Sequence, residues 1–144
     1  MELINENLIE INVDLDNKDE VITEVARLLS KDGRLSDASK FIDDIYIREE
    51  ELSTSMDFGI AIPHTQSESV KSPSLVFLKL AHNIQWNTDD NVRLIFGIAV
   101  SKEDGIQDHL KILSIIARKL MNDDFRERLL SVKDKKECME LLRF

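Results

Sequence analysis

A short apolar run that ends in proline and histidine, residues 58–64 (Phe-Gly-Ile-Ala-Ile-Pro-His), constrains this chain more than any other feature. The run is typical of a buried strand that stops at Pro63, because proline cannot donate a ladder hydrogen bond. A second apolar run follows at residues 75–80, so we expect His64 to lie on a loop between two sheet elements. Loops on rigid sheets often carry chemistry, which makes His64 a candidate nucleophile.

Strand and helix patterns are mixed along the rest of the chain. Period-two alternation predicts a strand at residues 9–15, and residues 92–100 are typical of another buried strand. Helical spacing predicts five helices, with caps that we assign to Asn17, to Ser36 or Asp37, to Asp104, to Asn122 and to Asp134. This order favours an α/β fold, a three-layer α/β/α sandwich with a mixed, parallel and antiparallel, central sheet of about five strands. We expect residues 1–144 to form a single domain.

Composition excludes several classes of function. A net charge of −9 with no segregated basic patch argues against binding to nucleic acid. The longest apolar run, residues 94–100, is far shorter than the roughly 18 residues of a membrane span. The amino terminus lacks a secretory signal, and the single Cys138 permits no internal disulfide, so we expect a cytoplasmic protein. Cys138 itself is typical of a core residue on a terminal helix.

Familiar catalytic motifs are missing from the sequence. His64, His82 and His109 match none of the compact metal-ligand spacings, so we expect no metal site. Residues 57–59 spell the magnesium-binding tripeptide of protein kinases, but no glycine-rich phosphate loop accompanies them. No G-x-S-x-G motif supports a serine hydrolase.

Taken singly, the other candidate residues favour ordinary structural roles. His109 falls on the apolar stripe of the helix after Asp104, where a histidine is more often a partly buried core residue. We interpret His82, in a turn, as facing solvent. Arg48 is more often a surface charge than an anion clamp, although its planar fork suits phosphate. The glutamates that follow Arg48 are typical of a solvated face.

Two motifs together change this interpretation. Residues 48–54 (Arg-Glu-Glu-Glu-Leu-Ser-Thr), followed by residues 59–64, resemble the signature of the phosphotransferase-system (PTS) enzyme IIA family of fructose–mannitol type. The resemblance extends through Asp108-His109-Leu110 and over almost the whole chain, and it is closest to the fructose branch. The chain departs from the family at Asp57, where glycine is common, and at Thr65, where glycine or alanine is frequent.

The resemblance implies a phosphoryl carrier. His64 would accept phosphate from the phosphohistidine of the carrier HPr through Nε2 and pass it to a cysteine of a IIB domain, with no cofactor and no metal. His109 would donate a hydrogen bond to the phosphoryl group, Arg48 would support the phosphorylated site, and Thr54 could complete the shell. The membrane component IIC would select the sugar, so the chain itself would not insert into the membrane.

A neutral imidazole can attack phosphorus without a separate base, provided that its other ring nitrogen is held as a donor. We expect the acceptor to be a backbone carbonyl in the turn around residues 65–67. Two alternatives to transport stay open. One is a nitrogen-type or regulator-linked IIA domain in which phosphorylation of His64 controls contacts between proteins. The other is an interaction domain without phosphoryl chemistry.

Overall fold

The computed structural model describes residues 2–103 and 105–143, and for residues 105–109 it describes the backbone alone. Within these residues, six strands form one sheet and five α-helices pack around it. The strands are β1 (Ile9–Val13), β2 (Ser55–Met56), β3 (Ile60–Ala61), β4 (His64–Ser67), β5 (Ser74–Gln85) and β6 (Asn91–Ser101). The helices are α1 (Lys18–Lys31), α2 (Ala38–Glu51), α3 (Gly105–Leu120), α4 (Asp123–Ser131) and α5 (Lys135–Leu142).

The sheet is mixed, as predicted. Its order is β1-β5-β6-β3-β2, with β4 pairing β6 beyond β3. β5 and β6 are antiparallel, whereas β1 runs parallel to β5 and both β3 and β4 run parallel to β6. The described strands exceed the expected number by one because the chain pairs with β6 again after Pro63.

The helix caps follow the sequence pattern closely. Asn17 accepts the Glu20 amide at 2.9 Å, and Asp37, rather than Ser36, caps α2 by accepting the Lys40 amide at 3.1 Å. Side-chain oxygens also cap α4 and α5, at Asn122 and Asp134. The predicted cap of α3, Asp104, lies outside the described residues. These caps fix where each helix leaves the sheet.

Helices cover the sheet in layers. α1 packs against α2 and β5, while α3 packs against α4 and β6, and α5 packs against β1. The core between them is apolar and includes the ring pair Phe77 and Phe96, whose centroids lie 5.2 Å apart on adjacent strands. Cys138 is fully buried on α5, as predicted. In the described part of the chain, no helix is both long enough and apolar enough to cross a bilayer.

Candidate active site

His64 is the first residue of β4, so the prediction that it lies on a loop is wrong. Pro63 interrupts the strand, but its carbonyl still accepts the Ile98 amide at 3.0 Å, and His64 then pairs with Ile98. Pairing therefore continues through the proline along one neighbouring strand. The result is a histidine whose backbone is held by the central strand β6 rather than by a turn.

The imidazole of His64 is held in one orientation by the chain immediately before it. Its Nδ1 lies 2.5 Å from the carbonyl oxygen of Ile62. A carbonyl can only accept, so Nδ1 carries the proton and the lone pair is on Nε2. The acceptor is a backbone carbonyl, as expected, but it precedes the histidine, so the prediction that it lies within residues 65–67 is wrong.

The electrostatic setting keeps the His64 ring neutral. Only 7% of the residue is exposed. This burial lowers the pKa of His64 below its ordinary value, and the positive charge of Arg48 acts in the same direction. The hydrogen bond to Ile62 and the negative charge of Glu49 oppose the shift. A neutral ring with its lone pair on Nε2 is the nucleophilic form of histidine.

Arg48 lies in the last turn of α2 and is half-buried. Its Nη1 donates to the carbonyl oxygen of Leu52 at 3.0 Å, which anchors the guanidinium at the carboxyl end of the helix. Guanidinium carries five N–H donors, so this contact leaves donors for an anion. Its positive charge lowers the pKa of His64.

Thr54 is buried in the short segment between α2 and β2. Its hydroxyl and its amide both donate to the carboxylate of Glu49, the amide at 3.3 Å. Its carbonyl accepts the Ile62 amide at 3.0 Å. Because the hydroxyl proton is directed at Glu49, Thr54 in this arrangement supports the site and does not offer that proton to a phosphoryl group.

Glu49 is the site residue that the sequence analysis missed. Glu50 and Glu51 are exposed, as expected of a solvated face, but the Glu49 side chain is only 2% exposed. It also pairs with Lys18, whose Nζ lies 3.3 Å from Oε2. The signal was present in the spacing, because Glu49 follows the buried Ile45 by four residues and so shares its helical face.

Of the other two histidines, the structure describes the side chain of His82 but not that of His109. His109 lies in the second turn of α3, but its side chain is outside the described residues, so its role stays a prediction. His82 is exposed, as predicted. Its Nε2 lies 3.1 Å from Asp14 and 3.8 Å from Asp16, and its Nδ1 lies 3.0 Å from the carbonyl of Asn83. These contacts raise the pKa of His82, the carbonyl of Asn83 most strongly.

A cavity of about 470 Å³ lies away from His64, between α3, α4 and α5. Arg118, Lys119, Phe125 and Arg128 contribute to its lining, which includes none of Arg48, Thr54 and His64. The candidate nucleophile is therefore not at the bottom of this cavity. It lies on β4, which pairs with β6, and with 7% of the residue exposed it is nearly covered.

Comparison with known proteins agrees with this arrangement. Residues 2–144 match the family profile described as "Phosphoenolpyruvate-dependent sugar phosphotransferase system, EIIA 2". A fructose-specific EIIA component of Haloferax volcanii is 37% identical over 112 residues, which cover 76% of this chain and 72% of that protein. A multiphosphoryl transfer protein of Shigella flexneri is 31% identical over 133 residues, covering 92% of this chain but 16% of that protein. This chain thus spans about a sixth of the length of such relatives.

Solved structures share the fold over nearly the whole chain. The nitrogen regulatory protein IIA-Ntr from Neisseria meningitidis matches with a TM-score of 0.89 and 25% identity, covering 98% of this chain and 97% of that one. The Escherichia coli mannitol enzyme IIA, solved in complex with phosphorylated mannitol enzyme IIB, matches with a TM-score of 0.82 and 22% identity, covering 96% of each chain. On the match to residues 2–144, the chain belongs to the EIIA type 2 family of the phosphoenolpyruvate-dependent sugar phosphotransferase system, a family of phosphotransferase components.

Proposed function

We propose that this chain is a cytoplasmic phosphoryl carrier in which His64 accepts a phosphoryl group from phospho-HPr and donates it to a cysteine of a IIB domain. A fructose-like sugar, taken up through the membrane component IIC, is the final acceptor. The observation that carries the proposal is the contact of 2.5 Å between Nδ1 of His64 and the Ile62 carbonyl oxygen. This contact leaves the Nε2 lone pair as the nucleophile, without a separate base.

Phosphoryl transfer depends mainly on how the protein positions the reacting groups. The Nε2 lone pair forms the new N–P bond while the N–P bond of the donor breaks and its electrons return to the donor's ring nitrogen. In the second transfer, a cysteine thiolate attacks phosphorus and the N–P electrons return to Nε2 of His64. Such transition states are loose, so in-line geometry and donors near the three equatorial oxygens carry most of the catalysis.

Arg48 and His109 supply those donors in the proposal. Arg48 keeps N–H groups beyond the one committed to Leu52 and carries a charge that suits phosphate. His109, near the amino end of α3, would donate from its ring, with help of on the order of 1 kcal/mol from the positive end of the helix. Thr54 acts indirectly, by holding Ile62 in place.

Exposed apolar side chains beside the functional segments support docking of protein partners. Phe58, which precedes β3, is 57% exposed, and Leu110, which follows His109, is 56% exposed. Leu52, whose carbonyl anchors Arg48, is 71% exposed. Apolar side chains surrounded by polar surface are common at protein interfaces. The net charge of −9 would also favour the approach of a basic partner.

The experiment is phosphorylation by phospho-HPr with an isotopically labelled phosphoryl group. Wild-type protein is expected to become labelled, His64→Ala is expected to take up no label, and the exposed His82→Ala serves as the matched control. The label should survive alkali and be lost in acid, as expected of phosphohistidine. Undiminished labelling of His64→Ala, or a label that is stable in acid, contradicts the proposal.

A second function is favoured by one specific observation. The similarity to nitrogen regulatory IIA-Ntr covers 98% of the chain with a TM-score of 0.89, above the 0.82 of the mannitol enzyme. In this alternative, phosphorylation of His64 switches a docking surface for a kinase or transcription factor. Rapid transfer from the phosphorylated chain to a IIB domain supports transport. Absence of that transfer, with binding of a regulator that depends on phosphorylation, supports the regulatory function.

A further inference from the structure

We infer that the buried Glu49, together with Lys18, is a positioning pair that sets how tightly His64 holds its phosphoryl group. The inference rests on the proposed function and deepens it, because it concerns the energy of the phosphorylated state rather than the identity of the nucleophile. The pair touches neither the substrate nor the reacting atoms in the proposal. It acts on His64 through a chain of contacts and through charge.

The first observation is that the carboxylate of Glu49 is buried. The Glu49 side chain is 2% exposed, and a buried carboxylate is costly unless donors satisfy it. Three donors do so here. The hydroxyl of Thr54 donates to Oε1, the amide of Thr54 donates to Oε2 at 3.3 Å, and Nζ of Lys18 lies 3.3 Å from Oε2. Both carboxylate oxygens of Glu49 therefore have donors.

The second observation is that these contacts lead to the imidazole. Thr54, held by Glu49, accepts the Ile62 amide at 3.0 Å through its carbonyl. Ile62 in turn accepts Nδ1–H of His64 at 2.5 Å. One chain of contacts thus joins the half-buried Lys18 to the buried residues Glu49, Thr54, Ile62 and His64. The charge of Glu49 also reaches the ring, since it raises the pKa of His64 against the effect of burial.

The charge of Glu49 matters most when the His64 ring is phosphorylated. When Nε2 binds phosphorus while Nδ1 keeps its proton, the imidazole becomes a cation. A buried negative charge stabilises that cation, and Lys18 weakens the effect by partly neutralising Glu49. Arg48 acts oppositely on the ring but attracts the phosphoryl oxygens. Among the described charged side chains, Arg48 lowers and Glu49 raises the pKa of His64, and Lys18 is paired with Glu49; the side chain of His109 lies outside the description.

Two substitutions with opposite expected effects separate charge from structure. Glu49→Gln keeps the shape and an oxygen acceptor for Thr54 but removes the charge, so it should lower the pKa of His64 and shift the phosphoryl equilibrium toward HPr by about fivefold. Lys18→Met keeps an unbranched side chain of similar length but removes the opposing charge, whose Nζ lies 5.4 Å from the centroid of the Trp86 ring, so the pKa of His64 and the phosphoryl equilibrium should both move the other way. If the pair were merely structural, both variants would loosen the site and change it in the same direction.

The experiment combines two measurements on the full chain. NMR titration of the His64 ring in the unphosphorylated protein gives its pKa, and the equilibrium of labelled phosphate between HPr and the chain gives the transfer constant. Glu50→Gln, an exposed neighbour on the same helix, is the matched control and should change neither quantity. Opposite shifts in Glu49→Gln and Lys18→Met support the inference. Equal shifts, or no shift in either variant, overturn it.

The outcomes also separate the inference from the proposed function. If the wild type takes no phosphate from HPr, the proposed function fails, while the titration still decides whether the pair acts on His64. If the wild type is phosphorylated but both variants behave like it, the inference alone fails. Should Glu49→Gln not fold, the more exposed Lys18→Met decides the matter, and an unchanged pKa of His64 in that variant overturns the inference.

Discussion

Gly97 is predicted to be a site where one added methyl group destabilises the whole sheet. It lies in β6 beside Ile98, the strand partner of His64, and it pairs with Val76 of β5. A Cβ atom there would lie 2.8 Å from Cγ1 and 3.3 Å from Cγ2 of Val25 on α1. The first distance is far below van der Waals contact, and valine in a helix has one strongly preferred rotamer, so Val25 cannot rotate away at low cost.

The magnitude follows from two opposing effects. Overpacking of a tight core costs about 1–3 kcal/mol, while replacing glycine by alanine in a strand recovers roughly 0.5 kcal/mol of conformational entropy. Gly97→Ala should therefore lower the free energy of unfolding by about 1–2 kcal/mol. For a chain of this size, that corresponds to a fall in Tm of about 3–7 °C.

Urea unfolding and thermal unfolding, both followed by circular dichroism, measure the effect. A double-mutant cycle then identifies its cause. Val25→Ala alone should cost about 2 kcal/mol, but adding Gly97→Ala to that variant should cost close to nothing, because the new methyl group occupies the space that Val25 leaves. A loss below about 0.5 kcal/mol in the single variant, or simple additivity in the double variant, would refute the steric argument.

Three further predictions concern titration and transfer. Burial lowers the pKa of His64, so the neutral ring contributes to stability fully above about pH 6.5, its unfolded pKa, and this contribution is lost as the pH falls toward the folded pKa. The free energy of unfolding in urea, measured for the wild type and for His64→Gln between about pH 5 and 8, should show this loss in the wild type alone. Parallel pH dependences of the two proteins would contradict the prediction. Burial raises the pKa of Cys138 to about 11, so a thiol reagent should label the folded protein far more slowly than the protein in urea; equal rates would exclude a protected thiol. His109→Ala should slow labelling by phospho-HPr without changing the midpoint of unfolding, and an unchanged labelling rate would remove His109 from the site.

Much of the fold could be predicted because local signals and tertiary packing agree. Asn17, Asp37, Asn122 and Asp134 each begin a helix, since a side-chain oxygen at the cap satisfies an amide that the helix itself leaves open. The period-two pattern near Ile9 likewise produces a strand in a mixed sheet. These signals act within a few residues, so the sequence displays them directly.

The candidate site could be predicted only in part, because its details depend on contacts between distant segments. The pairing of His64 with Ile98 turns an expected loop into a strand, and no local pattern specifies that partner. In the sequence, Glu49 looks like a surface charge beside Glu50 and Glu51. The contacts with Thr54 and Lys18 offset the cost of removing its carboxylate from water, and these partners are distant or not recognisable in the local pattern. Resemblance to a family made His64 and His109 candidates, whereas the buried carboxylate of Glu49, which contacts Thr54, required the structure.

The orientation of the imidazole depends on main chain at position 62, and this has a consequence for sequence variation. Any amino acid at that position supplies the same carbonyl oxygen, so the Ile62 side chain can change without loss of the hydrogen bond. The direction of that carbonyl is instead restricted by the next residue, because a residue before proline is confined to extended angles. Replacing Pro63 would widen the range of backbone angles open to Ile62 and so loosen the orientation of the His64 imidazole, although Pro63 makes no hydrogen bond to that ring itself.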